Sequence, residues 1–273
     1  MTASRYLAIV LATAPLWGGV RIKIDGTDLK TNEVSQQEVL LDSNRLRVNM
    51  NVTGKSSDKQ SSVLFLTDNG RNRMVMLDRP TNEYREIDQQ TMNQVSQQLQ
   101  GALGQLQAQL QNMPPEQRAR IEQMMKGRGL PGAAAPPAAP RNTFIEKGSG
   151  SVNGFSCTKY EEMRGAEKIA DICSAKPADL HLTAADFQVF DQMKQFAASM
   201  LSSLTNVPLG AVRIPDILDQ GTDGFPIQRI VYSGGQATGR YDVKSVDRSS
   251  FSDADFSLGN AKKLELIPGR RAQ

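Results

Sequence analysis

The chain has 273 residues, 39% hydrophobic and 22% charged, which is enough apolar material for one large domain or two small ones. Its formal net charge is +3, with both signs spread along the chain and no basic run interleaved with aromatics, so no nucleic-acid partner is expected. One histidine, two cysteines and the lack of GxSxG, HExxH, Walker and GxGxxG patterns argue against an enzyme and give no reason to expect a cofactor or a bound metal.

The opening stretch "MTASRYLAIVLATAPLWGG" has a positive Arg5 followed by a short apolar run over residues 6–14. That run cannot cross about 30 Å of hydrocarbon as a helix, so it reads as a signal peptide over residues 1–18, cleaved near Gly18. A periplasmic or secreted protein that does not span the membrane is therefore expected. Residues 19–273 are expected to form a single domain.

Strand patterns come next. "VRIKID" sets Val20, Ile22 and Ile24 against Arg21, Lys23 and Asp25. "RLRVNMNV" does the same with Leu46, Val48, Met50 and Val52, the alternation of a sheet with one wet face. Asp42-Ser43-Asn44 should turn segment 38–41 onto 45–52, and Asn69-Gly70 should turn the hairpin "SVLFLTDNGRNRMVML". With "DRPTNEYREI" the first ninety residues read as an antiparallel meander of about six strands.

The period then changes. Met92, Val95, Leu99, Leu103, Leu106, Leu110 and Met113 recur at spacings of three and four, an amphipathic helix whose other face is largely Gln. Pro114-Pro115-Glu116 should restart a second helix, giving a helical hairpin over 91–126, and the Gly/Ala/Pro stretch 127–141 reads as a linker. "NTFIEKG" resumes the sheet, and "GSGSVNG" reads as a loop because no helix start follows it to cradle a phosphate. Thr183, with Asp186 three residues on, begins a helix whose apolar side carries Phe187, Phe190, Met193, Ala197, Met200, Leu201 and Leu204. A hairpin about Gly234-Gly235 and a short strand in "AKKLELI" complete the pattern.

Cys157 and Cys173 are too far apart in sequence for a CxxC redox or zinc motif. Folding their segment about Gly165 sets them face to face and aligns Lys159 with Asp171 and Glu162 with Lys168. A disulfide-stapled hairpin is expected, which suits an exported protein. Glu161 and Glu162 should point to opposite faces of that hairpin, the wrong arrangement for paired acid/base work. His181 stands just before a helix cap and reads as a capping or packing residue. The eleven methionines could offer soft ligands to copper, but they read as fillers of irregular apolar space.

The whole pattern suggests a mainly β protein with helices (α+β): a curved antiparallel sheet, or unclosed β-barrel, with helices across its concave face. The stretches "SVNGFSCTKYEE", "MPPEQRARIEQMMKGRG" and "DFSLGNAKKLEL" resemble a family of exported bacterial proteins with a domain of unknown function. That family is similar in architecture to the LolA/LolB lipoprotein-carrier superfamily. The resemblance implies a half-barrel with an apolar cavity for a lipid, an acyl chain or a lipid-modified protein. Leu46, Val48, Met50, Phe187, Phe190 and Met193 are the expected lining. The alternative function is an envelope protein-interaction or sensing module acting through the Gln-rich helical insertion.

Overall fold

The computed structural model describes residues 18–54, 59–68, 70–114, 117, 142–204 and 222–265. Six strands come first: β1 (Gly19–Asp28), β2 (Val34–Asp42), β3 (Arg45–Thr53), β4 (Lys59–Asp68), β5 (Arg71–Asp78) and β6 (Glu83–Asp88). Helix α1 (Gln89–Gln111) follows, then β7 (Asn142–Val152), β8 (Phe155–Arg164) and β9 (Glu167–Ala175). Helix α2 (Gln188–Leu204), β10 (Phe225–Ser233), β11 (Gln236–Ser249) and β12 (Lys262–Leu264) complete the order. All twelve strands share one sheet, in the order β12-β6-β5-β4-β3-β2-β1-β11-β10-β9-β8-β7. Neighbours are antiparallel except β12, which runs parallel to β6. The sheet is unclosed, with β7 and β12 at its two ends.

Residues directly opposed in a ladder point to the same face. The register therefore resolves the meander into rows across the strands. The first row is Val20, Leu41, Leu46, Phe65, Met74 and Ile87. The second is Ile22, Val39, Val48, Val63 and Met76, and the third is Ile24, Gln37, Met50 and Ser61. Helix α2 covers the first row. Its Phe196 ring lies 5.7 Å from that of Phe65. Val189, Phe196 and Met200 are buried in one cluster with Val20, Leu41, Leu46 and Phe65. Each such side chain, fully buried, contributes about 1.5–3 kcal/mol.

The opposite face of the meander has its own cover. Leu40, Leu64, Leu66 and Val75 are buried beneath Phe251, Phe256 and Leu258. A capping box between Ser252 and Asp255 starts the short 3₁₀ turn Asp253–Phe256. Arg45 then pairs with Asp253 at 2.7 Å and lies 4.5 Å from the centre of the Phe256 ring. The Arg47 guanidinium donates to the carbonyls of Asp255 and Ser257 at 2.9 and 3.2 Å. This strap delivers β12 to its place beside β6, at the end of the sheet.

The mainly β, unclosed sheet and the six-strand meander match the expectation. Three local readings change. First, "GSGSV" is not a loop but the second half of β7, and only Asn153-Gly154 form the turn. A bulge at Lys147 with Gly148 at φ +101° lets the strand continue. Second, the deepest residues of α2 include Val189 and Phe196, not only the Phe187-based stripe. Third, Cys157 and Cys173 are disulfide-bonded, with Cα atoms 5.5 Å apart, but they are not directly opposed. Cys173 faces Lys159, and Glu161 faces Asp171. The turn is centred between Gly165 and Ala166, because Arg164 faces Glu167, and a bulge then skips Ile169. The expected ion pairs change with it: Lys168 reaches Glu161 at 3.3 Å and Asp171 at 2.6 Å. The second helix of the expected hairpin, the linker 127–141 and the signal segment through residue 17 fall outside the described residues.

Closing a loop of this size stabilises a fold by about 3 kcal/mol through the unfolded chain. Reduction, or Cys157→Ser with Cys173→Ser, should lower the unfolding free energy from urea titration by about that amount. A loss below about 1 kcal/mol would show that ladder pairing alone holds the hairpin.

Candidate functional site

Down the concave face the rows change chemistry. The first is wholly apolar and lies under α2. The second is aliphatic and ends at Met76, which is 40% exposed. The third mixes Ile24 and Met50 with Gln37, Ser61 and Asp78, and the fourth holds Gly26, Ser35, Val52 and Lys59. Beyond the helix-covered rows this face holds a cavity of about 450 Å³. Its walls include Ser35, Gln37, Met50, Val52, Val231 and Tyr241.

Tyr241 is placed there by the pairing of β1 with β11, which sets it directly opposite Gly26. A Cβ on Gly26 would collide with the Ser35 hydroxyl and sit 3.0 Å from the Tyr241 ring. The glycine therefore lets the ring lie across β1, where it is 40% exposed. At the rim, Asp28, Lys30 and Glu33 belong to the β1–β2 turn. The Asp28 carboxylate accepts the backbone N–H groups of Lys30 and Thr31 at 2.8 Å each. Those bonds hold it below the usual carboxylate range, so it stays ionised and is committed to the turn. Among the described residues the lining thus has an apolar floor, neutral polar flanks and charged side chains at the β1–β2 turn.

The six residues expected to line a cavity are divided. Met50 lines it. Leu46 is buried in the main core, with Val48 packed against that core. Phe187, Phe190 and Met193 also pack against the core, with the Phe187 ring 6.2 Å from both Phe190 and Phe225. Sequence reasoning missed Ser35, Gln37, Tyr241 and Val231. Continuing the alternation of β2 back from Val39 would have reached the first two. The other two depend on the β1–β11 pairing, for which no local pattern exists.

The remaining candidates take structural positions. Glu161 salt-bridges Lys147 at 2.9 Å, whereas buried Glu162 accepts from Asn142 at 2.7 Å and Arg229 at 2.6 Å. The two adjacent acids thus serve separate networks. His181 ends a short 3₁₀ turn in the left-handed region, φ +54°. Its carbonyl accepts from Arg248 at 2.7 Å. Arg248 also makes a bidentate pair with Asp186, at 2.7 and 2.8 Å, and Asp186 caps the start of the helical segment through Thr183. This clamp ties the approach to α2 onto β11 and so fixes the cover of the concave face.

No family model matches the chain, and no curated protein matches it in sequence. Among solved structures, an uncharacterized conserved protein from Thermus thermophilus is similar with a TM-score of 0.44 at 7% identity, covering 91% of each chain. MucB is similar with a TM-score of 0.36 at 8% identity, covering 89% of this chain and 58% of that one. A chain in the complex structure of Pseudomonas aeruginosa MucA/MucB gives 0.37 at 8% identity, covering 89% and 56%.

The Asp186 clamp has a pH signature. Burial pushes its carboxyl up, but the hydrogen bonds from Arg248 and Thr183 outweigh burial and hold it below the ordinary range. Its contribution to stability is therefore present above the unfolded value, near pH 4, and is lost as pH falls through the depressed folded value. Arg248→Met should flatten that acid limb when urea midpoints are measured from about pH 7 down to about pH 2. An unchanged limb would place the acid sensitivity elsewhere.

Proposed function

We propose that the chain is an exported, non-enzymatic binding protein built as a LolA-like half-barrel. It holds the apolar part of an amphiphilic ligand at the open end of its concave face. The ligand class is a lipid, an acyl chain or a lipid-modified protein segment, with the protein in the periplasm or secreted. The observation that carries this reading is the cavity of about 450 Å³ that continues the core face past α2, floored by Met50, Val52, Val231 and Tyr241. Its volume falls in the usual range for small-molecule sites, and its mix of apolar floor and few polar flanks is the usual composition. An amphiphile suits the gradient along the rows, with the tail toward the aliphatic rows and the polar end toward Ser35, Gln37 and the charged rim. The disulfide supports an oxidising compartment.

Titration with the neutral fluorophore N-phenyl-1-naphthylamine, followed by displacement with palmitate, tests the reading. Met50→Asp and Tyr241→Ala should each weaken binding by about tenfold, equivalent to about 1.4 kcal/mol. Ile145→Asp, at an exposed position on the edge strand β7, should leave it unchanged. Equal affinity in all four proteins, or no binding by the parent protein, would contradict it.

A further inference from the structure

A second cavity differs in kind. It holds about 620 Å³ between α1, α2 and the β4–β5 turn. Its walls include Asn72, Gln90, Asn93, Gln94 and Gln97, with Phe196 among them. Two charged residues, Arg71 and Asp88, also reach it. Asp88 is committed as the N-cap of α1, where its carboxylate accepts the Thr91 N–H at 2.7 Å. The amides are partly ordered. The Thr67 hydroxyl lies 2.8 Å from Asn72 Oδ1, and Gln89 donates to Asn93 at 3.1 Å.

The chemistry of this lining selects a ligand class. A primary amide offers donors and an acceptor side by side. A sugar hydroxyl is likewise both donor and acceptor, so a run of amides matches a run of hydroxyls. An apolar ligand would strip water from the six lining amides, Gln89 included, and return no hydrogen bond, a cost incurred for every group. A phosphate or carboxylate would want paired cations, and among the described residues Arg71 is the one cation of the lining. An extended peptide would want a sheet edge or apolar side-chain pockets. The walls here are helix faces and a turn, and Phe196 is the one large apolar side chain among the described residues that form them. Such a ring suits the C–H face of a sugar.

We infer that the cleft between α1 and α2 binds an uncharged oligosaccharide. The site is separate from the concave cavity and does not depend on it. Calorimetric titration of the full chain with maltotriose, tri-N-acetylchitotriose, trigalacturonate and the peptide Gly-Ser-Gly-Ser tests the inference. At least one of the two neutral sugars should bind, and trigalacturonate and the peptide should not. Asn93→Ala with Gln97→Ala should weaken that binding at least about tenfold. Alanine is a better helix former than either residue, so α1 is kept, which circular dichroism checks. Gln105→Ala, farther along α1 and outside the lining, should bind as the parent does. The inference is overturned if neither neutral sugar binds, if trigalacturonate or the peptide binds as well or instead, or if the double variant keeps full affinity.

Discussion

Leu64 and Phe65 are neighbours in β4, point to opposite faces of the sheet, and are both fully buried. A single-layer sheet with both faces apolar at its centre must be covered twice. Helix α2 covers the face of Phe65, and the strap of Phe251, Phe256 and Leu258 covers the face of Leu64. The remaining architecture follows from this double demand. The chain leaves the meander through α1, builds β7 to β9, lays down α2, and returns through β10 and β11 to pair with β1. Its last described segment then crosses the outer face to reach β6. Each cover is tied to the sheet by arginines: Arg248 to Asp186 on one side, Arg45 and Arg47 to the strap on the other.

The two covers do not extend equally along the strands. Phe196 and Met200 sit over the row of Leu41, Leu46 and Phe65, while the row of Gln37, Met50 and Ser61 lies beyond them. There the strands change composition within two residues, from Val39 to Gln37 on β2 and from Val63 to Ser61 on β4. A polar side chain is stable at that position because it keeps access to water or to a ligand, which burial beneath a helix would deny it. The cavity is therefore the part of the concave face that the helix leaves and the sequence makes amphipathic. Tyr241 across Gly26 supplies its aromatic surface.

The parts of this design that rest on short-range rules were legible in the sequence. Alternation along β1 and β3, the two-residue turn at Ser43-Asn44, Gly70 at φ +75° and the Thr183–Asp186 capping box all act within a few residues. What could not be read depends on bulges or on distant pairing. Two single steps, the turn centred between Gly165 and Ala166 and the skipped Ile169, together move Cys173 from Cys157 to Lys159 and reassign the charge pairs. A register shift between Lys23 and Ile24 governs how β11 meets β1, and so where Tyr241 falls. In α2 and the 3₁₀ turn that leads into it two apolar stripes overlap, one through Phe187 and Phe190 and one through Val189 and Phe196. Periodicity cannot rank them; contact with Phe65 does. The outer strap was equally hidden, because Phe251 and Phe256 acquire their role only when a distant β3 presents Arg45 and Arg47.

The proposed ligand site is the end of the concave face left open by α2, not the core beneath it. Methyl NMR of the protein labelled at methionine and valine, titrated with palmitate, tests this most directly. Shifts should concentrate at Met50, Val52 and Val231, with Val20 and Met200 unmoved. Shifts at Val20 and Met200 with Met50 silent, or a uniform response across all methyls, would contradict it.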